Sequence, residues 1–234
     1  KTLLDGISFN YDLVGIGIGA PNGNYYKGTV EIPSNLWKYS KEQIAAGLKD
    51  EDRIFNLADD LGKHFVNVPV YVTNDANAAT IGEMVYGGAK GMKDFIMITL
   101  GTGVGSGFVA NGEMIYGHDG FAGEFGHVIV ERGGRECGCG RRGCLETYTS
   151  AGGIKRTAFE LMATMNDPSP LREYSFDQLE AATLSQFATK GDPIAKECFR
   201  LTGQKLGYAL ADAVTITSPE AIFLFGGLAK AGDL

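Results

Sequence analysis

The sequence has 234 residues, of which 44% are hydrophobic and 21% charged, with a formal net charge of −7 and a pI near 5.0. That length allows one large domain or two small ones, and the acidic balance without clustered Lys and Arg argues against a nucleic-acid-binding surface. No apolar run reaches the ~20 residues of a membrane-spanning helix and no secretory signal opens the chain, so we expect a cytoplasmic protein.

Strand and helix patterns alternate in the first part of the chain. Short apolar residues and glycines from Val14 to Ile18 predict a buried strand that runs into a loop at Asn22–Asn24. A second strand, Val70–Val72, ends at Asn74-Asp75, and the following residues predict a helix capped by one of these two side chains. Between the strands, a capping box and apolar spacing predict helical segments up to about Phe65. The residues that carry this pattern are Ser40, Gln43, Ile44, Leu48, Ile54, Leu57 and Leu61.

The second part of the chain opens with a continuous apolar strand, Phe95–Leu100, which runs into the glycine run GTGVGSG. A hairpin with an Asn111-Gly112 turn joins Gly107–Ala110 to Glu113–Tyr116. Later patterns predict a short strand, three helices and a last strand that ends at Gly226-Gly227. Their expected bounds are Val128–Val130, Ala151–Met165, Asp177–Thr189, Pro193 to about Val214, and Ala221–Phe225. Glycine-rich strand ends in such an α/β chain indicate ligands at the carboxyl edges of the strands.

Four potential metal ligands lie close together in the sequence: His127, Cys137, Cys139 and Cys144. Three thiols and an imidazole fill a tetrahedral zinc shell, which is typical of a structural site rather than a catalytic one. A disulfide or three inert thiols are the alternatives, but a cytosolic chain disfavours a disulfide. The intervening glycines let the backbone fold tightly, so the pattern favours zinc. The fourth cysteine, Cys198, lies in a helical pattern and is expected to be a buried small hydrophobic residue.

A polar elbow follows the second strand. The carboxylate of Asp75, at a strand end beside a helix N-terminus, could accept a proton from a substrate hydroxyl, while the amide of Asn74 orients the same substrate. The alternative is that Asp75 simply caps the helix.

The run from Gly101 to Gly107 allows backbone amides to converge on an anion, and Thr102 adds a hydroxyl donor. It is neither a Walker loop, since no Gly-Lys-Ser/Thr follows, nor a dinucleotide fingerprint, since a strand follows it. A tight hairpin is the alternative. The pair Gly226-Gly227 carries the same ambiguity, with a plain loop as its alternative.

Two glutamates are associated with the cysteine segment. Glu124 stands in the sequence GEFGH, and Glu146 comes two residues after Cys144. Paired carboxylates accept hydrogen bonds from vicinal sugar hydroxyls, whereas the alternative is two surface glutamates.

Taken together, the segment LGTGVGSGFVANGEMIYGHDGFAGEFGH, the segment CGCGRRGCLE and the upstream elbow NDANAA resemble the ROK family of sugar kinases, over Gly15 to Gly227. The resemblance implies an actin-like or hexokinase-like (ribonuclease H-like) α/β ATPase fold. It further implies two α/β domains, residues 1–92 and 93–234, with ligands in the cleft between them.

The resemblance also implies a role for each matching residue. Asp75 would be the general base, and zinc would hold one ring nitrogen of His127 while the other faces the sugar. The implied sugar contacts are Asn22, Gly23, Asn74, Asp75, Glu124, His127 and Glu146, and the implied nucleotide contacts are Gly101, Thr102, Gly103, Gly226 and Gly227.

The implied function is transfer of the γ-phosphoryl group of ATP to the 6-hydroxyl of a hexose, above all glucose, with magnesium on the phosphates and structural zinc. Kinases of N-acetylglucosamine, N-acetylmannosamine, fructose or allose remain alternatives. So do a sugar-responsive transcription repressor of the same family and a bare zinc scaffold. The family leads us to expect a homodimer or homotetramer.

Both ends of the sequence look cut, since it lacks an initiator Met and ends shortly after a glycine cluster. The family's opening Asp-x-Gly-Gly-Thr phosphate segment and its C-terminal helices are absent from the sequence. We therefore expect a fragment that could bind zinc and sugar yet fail to phosphorylate.

Overall fold

Nine short strands and six α-helices build two compact units in the computed structural model, which describes residues 12–32, 42, 43, 47 and 49–232. The first unit contains the residues up to Ala78 together with His118–Phe121, and the second contains Ala79–Gly117 and the residues from Ala122 on. The predicted domain boundary after residue 92 stays a prediction. Ser40, Ile44 and Leu48 lie outside the described residues, so the predicted capping box is not described.

The first unit contains two small sheets and a short helix. Strands β1 (Ile16–Gly19) and β5 (Val70–Thr73) pair in parallel, with Gly19 opposite Thr73. An antiparallel sheet has the order β2-β3-β4, and one short helix lies between β4 and β5. Their bounds are β2 Gly23–Asn24, β3 Thr29–Glu31, β4 Ile54–Phe55 and α1 Leu57–Gly62. The core of this unit is Ala20, Val30 and Val72.

The second unit is built on a sheet with the order β8-β7-β6-β9. Its central strand β6 is apolar except for Thr99, as expected of a strand buried on both faces, and pairs antiparallel with β7 and parallel with β9. The strands are β6 Phe95–Leu100, β7 Val104–Ala110, β8 Glu113–Met114 and β9 Ala221–Phe225.

Five helices accompany this sheet, of which α2 begins in the first unit and the others pack in the second. They are α2 Asp75–Tyr86, α3 Glu146–Thr149, α4 Ala151–Thr164, α5 Ala181–Thr189 and α6 Pro193–Thr217. Cys198 is fully buried among the core residues of α4, α5 and α6, as the sequence predicts. Among the described residues, no helix is both long and apolar enough to cross a bilayer, although α6 has 25 residues.

Several predicted elements are confirmed and others need correction. The Asn111-Gly112 hairpin is present, with both residues at positive φ, as a type I′ turn requires. The predicted loop at Asn22–Asn24 contains strand β2, and the predicted strand Val128–Val130 is only an isolated bridge from Ile129 to Cys144. Helix α5 begins at residue 181 rather than 177, because Glu180 has an extended backbone.

Candidate functional site

The elbow at the end of β5 separates two tasks between adjacent residues. Asn74 Oδ1 accepts a hydrogen bond from the Ala76 amide at 2.9 Å, and the Asn74 carbonyl accepts from Ala78, so Asn74 acts as the N-cap of α2. Asp75 Oδ1 also accepts from the Ala76 amide at 2.9 Å, yet the residue is exposed. The Asp75 carboxylate thus shares the Ala76 amide with Asn74 and is accessible to solvent.

Gly23 and Asn22 lie beside this elbow. A Cβ on Gly23 would come within 2.2 Å of the Thr73 carbonyl oxygen, so only glycine lets β2 approach the end of β5 this closely. Asn22 has a φ of 55°, and its side-chain amide donates to the Ile32 carbonyl at 3.1 Å. The structure thus places Gly23 against the Thr73 carbonyl group that precedes Asn74, and the Asn22 side chain holds the β2–β3 hairpin through Ile32.

In the second unit, the loop formed by the glycine run is shorter than the sequence suggests. Only Gly101–Gly103 forms a turn, and β7 begins at Val104. A Cβ on Gly107 would come within 2.1 Å of Thr80 Oγ1, so this glycine serves the packing of β7 against α2. The turn closes through a 3.0 Å bond from the Gly101 amide to the Gly103 carbonyl.

The pair Gly226-Gly227 lies against the same turn. Gly226 has a φ of 111°, and a Cβ there would come within 2.3 Å of the Leu100 carbonyl oxygen, at the end of β6. A cavity of about 350 Å³ opens beside Gly101 and Gly227, with Phe199 in its wall. Its other lining residues are Leu100, Ala151, Ala181, Ala182, Ser185, Leu228, Lys230 and Ala231.

Sequence reasoning missed the contribution of α5 to this cavity. Ala181, Ala182 and Ser185 present small side chains there, and Lys230 adds a cation. A run of small residues at helical spacing is the signal that could have found them, but it is common in helices that merely pack closely. The mostly apolar wall and the adjacent glycine turn form a hollow suited to a flat ring that carries phosphates.

The four predicted metal ligands converge in the second unit, with all of their ligand atoms within 4.8 Å of one another. His127 Nδ1 lies 3.6 Å from Cys137 Sγ, and Cys139 Sγ lies 3.7 Å from Cys144 Sγ. A tetrahedral zinc shell has edges of about 3.6 Å between nitrogen and sulfur and about 3.8 Å between sulfurs. The donor set fits zinc, and the 3.7 Å separation excludes the disulfide alternative for that pair, because bonded sulfurs lie about 2.05 Å apart.

The electrostatics of the thiols also favour a cation. Burial, followed by the neighbouring thiols of Cys139 and Cys137, raises the pKa of Cys144 to about 12. Clustered thiols resist ionising together because each new thiolate repels the next, whereas a divalent ion between them removes that cost. Such a site therefore suits a metal better than free thiols.

The segment that carries Glu124 and His127 is fixed from behind by β7. Ser106 Oγ donates to the Gly123 carbonyl and accepts from the Phe125 amide. His127 Nε2 lies 4.0 Å from a carboxylate oxygen of Glu124, while Nδ1 faces the thiols. One ring nitrogen is thus directed to the thiols and the other towards Glu124.

Arg135 clamps the cysteine segment to α3 and α4. Its side chain is 9% exposed, and its guanidinium uses all five N–H groups. No sequence motif indicated this role. It also lies over the ring of Tyr148, 4.5 Å from the centroid. The acceptors are the Thr147 and Gly153 carbonyls, Thr157 Oγ1 and both carboxylate oxygens of Glu160.

Glu146 is the one predicted sugar contact whose side chain meets the glycine turn. Its Oε2 accepts from the Val104 amide at 2.9 Å. It is half-buried at the start of α3 and is therefore not the solvent-facing glutamate of the alternative interpretation.

Comparison with known proteins gives one family. The model of the ROK family matches residues 13–234. The chain is 38% identical over 224 residues to a glucokinase of Halalkalibacterium halodurans. The alignment covers 95% of this chain and 64% of that enzyme. The chain thus spans less than two thirds of the length of that curated relative.

Solved structures of similar proteins include a kinase and a regulator. One is a ROK family glucokinase from Streptomyces griseus in complex with glucose and AMPPNP, with 33% identity, a TM-score of 0.76, and coverage of 99% of this chain and 71% of that one. The other is a ROK family transcriptional regulator homologous to the Escherichia coli Mlc protein, with 26% identity, a TM-score of 0.77, and coverage of 93% and 50%. The predicted actin-like, hexokinase-like α/β fold is confirmed by these matches.

Proposed function

The chain belongs to the ROK family, and on that premise we propose that the protein carrying it is an ATP-dependent hexose kinase with glucose as its substrate. The observation that carries this proposal is the elbow of the first unit, where Asn74 caps α2 and leaves the Asp75 carboxylate exposed. A carboxylate placed this way suits a general base, because it is accessible to a hydroxyl and held by a rigid strand end.

In the proposed reaction, the 6-oxygen of the hexose attacks the γ-phosphorus of ATP as its proton passes to Asp75. The bond from that phosphorus to the bridging oxygen breaks, and ADP leaves. Asn74, Glu124 and His127 hold sugar hydroxyls, with Asn22, Gly23 and Glu146 as further sugar contacts. Magnesium belongs to the nucleotide substrate; among the described residues, the His/Cys cluster is the only group that could hold a metal by itself.

The nucleotide is proposed to bind in the second unit. Gly101, Thr102 and Gly103 contact its phosphates, and Gly226 and Gly227 line its approach. The mostly apolar cavity beside them suits the base, since its wall offers an aromatic ring and small side chains, with Lys230 as its one charged residue.

We infer that His127, Cys137, Cys139 and Cys144 hold a zinc ion. Four protein donors leave no open coordination position, so zinc would supply structure rather than Lewis acidity. Its effect on the sugar is indirect, because it fixes the ring orientation of His127.

A sugar-responsive transcription repressor is the second candidate, and the similarity to the ROK regulator favours it. The exposed Asp75 and the Gly101–Gly103 turn argue for the kinase, since a sensor needs neither. A cytoplasmic location and a homodimeric or homotetrameric assembly stay predictions.

The test is a coupled ADP-release assay with ATP, magnesium and a panel of hexoses, applied to the protein in its natural length. The panel contains glucose, fructose, allose, N-acetylglucosamine and N-acetylmannosamine. We expect turnover, fastest with glucose. Turnover on another sugar alone would correct the substrate, and silence on all of them with sugar binding retained in calorimetry would favour the repressor.

A further inference from the structure

The carboxylate of Glu146 is held at a defined place by the backbone on both sides of it. Leu145 is fully buried and its amide donates to the Val128 carbonyl, while the Thr147 amide donates to the Cys144 carbonyl. From this fixed corner, Glu146 Oε2 reaches the amide of Val104, the first residue of β7, at 2.9 Å. A charged acceptor on a backbone amide is among the stronger hydrogen bonds in proteins.

The same corner also holds the other end of the glycine turn. The amide of Ala151, the first residue of α4, donates to the Gly101 carbonyl at 2.8 Å. The turn from Gly101 to Val104 is therefore fixed at one end by a backbone bond to α4 and at the other by the Glu146 side chain.

Gly103 leaves space for this arrangement. It is not among the glycines with positive φ, so its backbone angle does not require glycine. A Cβ at this position would come within 2.5 Å of Glu146 Oε2. Glycine at residue 103 therefore leaves room for the Glu146 carboxylate, which a larger residue would displace from the Val104 amide.

We propose that Glu146 is a positioning residue for the nucleotide turn, in addition to any contact it makes with sugar. This inference rests on the proposed function, in which that turn contacts the phosphates. The Oε2 atom holds the turn through Val104, and Oε1 is the atom left to accept from a sugar hydroxyl. One side chain thereby serves both substrates.

Three variants separate the two roles. Glu146→Ala removes both, whereas Glu146→Gln keeps a carbonyl oxygen for the Val104 amide and changes the sugar contact. Gly103→Ala keeps Glu146 but forces its carboxylate away from the turn. Glu136→Ala is the control, since this glutamate of the same segment has a 78% exposed side chain.

The readouts are the Kd of ATP and the Kd of glucose, measured separately by calorimetry, and hydrogen exchange at the Val104 amide. We expect Glu146→Ala and Gly103→Ala each to weaken ATP about tenfold, the size of one hydrogen bond to a charged group, and to speed exchange at Val104. In Glu146→Gln, the ATP Kd stays within about threefold while glucose weakens. Combining Glu146→Ala with Gly103→Ala should add little, because both remove the same bond.

An unchanged ATP Kd and unchanged Val104 exchange in Glu146→Ala would overturn the inference and leave Glu146 as a sugar ligand only. Glu146→Gln losing as much ATP affinity as Glu146→Ala would also overturn it. If the unsubstituted protein binds neither ATP nor glucose, the proposed function fails instead, and the exchange rates still decide whether Glu146 holds the turn.

Discussion

Asn74 and Asp75 show how two adjacent polar residues take different tasks from the same strand end. The sequence predicts the elbow but leaves open which side chain caps α2. That choice depends on the residue at which the helix begins. Asp75 is the first helical residue, so Asn74 before it takes the N-cap position and its side chain accepts from the Ala76 amide.

Replacement of Asp75 by Asn tests the chemical role directly. The amide keeps the size of the side chain but cannot accept the proton, so we expect kcat to fall by about 10²–10⁴-fold with little change in glucose Kd. Steady-state assays and calorimetry measure the two quantities.

Asp59→Asn is the matched control for this substitution, since Asp59 is another exposed aspartate of the first unit. It should keep full turnover. If Asp75→Asn retains more than about a tenth of kcat, Asp75 is not the general base.

At the scale of the elements, the sequence predicted those turns and helix starts that depend on interactions between neighbouring residues. The Asn-Gly turn and the start of α6 at Pro193 each depend on a few neighbouring residues, and in the structure Asp192 caps α6 by accepting from the Ala195 amide at 2.8 Å. The glycine run was harder to interpret from the sequence. Gly107 is needed because a larger residue there would collide with Thr80, which lies on another element. Sequence spacing alone could not separate a turn glycine from a packing glycine.

Two glycine substitutions with opposite expected effects on the free energy of unfolding test that distinction. Gly107→Ala should lower the free energy of unfolding by about 1–3 kcal/mol, because its methyl group enters the space of Thr80. Gly203→Ala should raise it by about 0.5–1 kcal/mol, since Gly203 is exposed on α6 with nothing within 4 Å of an added Cβ. Denaturant titration measures both, and a stabilising Gly107→Ala would contradict the packing argument.

At the scale of the whole molecule, the sequence predicted the family fold and the metal cluster. The cavity beside Gly101 and Gly227 could be recognised only in the structure. Its walls come from segments far apart in the chain, including α4, α5 and the residues after β9. No single stretch carries that information, whereas the cysteine spacing lies within eight residues from Cys137 to Cys144.

Metal removal tests the zinc proposal. The protein should contain about one zinc per chain, and a chelator should lower the melting temperature by more than about 5 °C, because the cluster is part of the fold of the second unit. Elemental analysis and thermal scans are the measurements.

Cys139→Ser should lose most of the metal, and Cys198→Ala, which alters a buried thiol outside the cluster, should keep it. Equal zinc content in the unsubstituted protein and in Cys139→Ser would show that the cluster does not bind zinc.

The arginine clamp at residue 135 limits how this part of the protein can change over generations. Lysine offers three donors on a flexible stem and glutamine two, so neither can replace a planar group that satisfies five acceptor contacts at once. Arg132 and Arg141, both exposed on the same segment, carry no such restriction. As this sequence diverges while keeping its fold, we therefore expect Arg132 and Arg141 to be substituted long before Arg135.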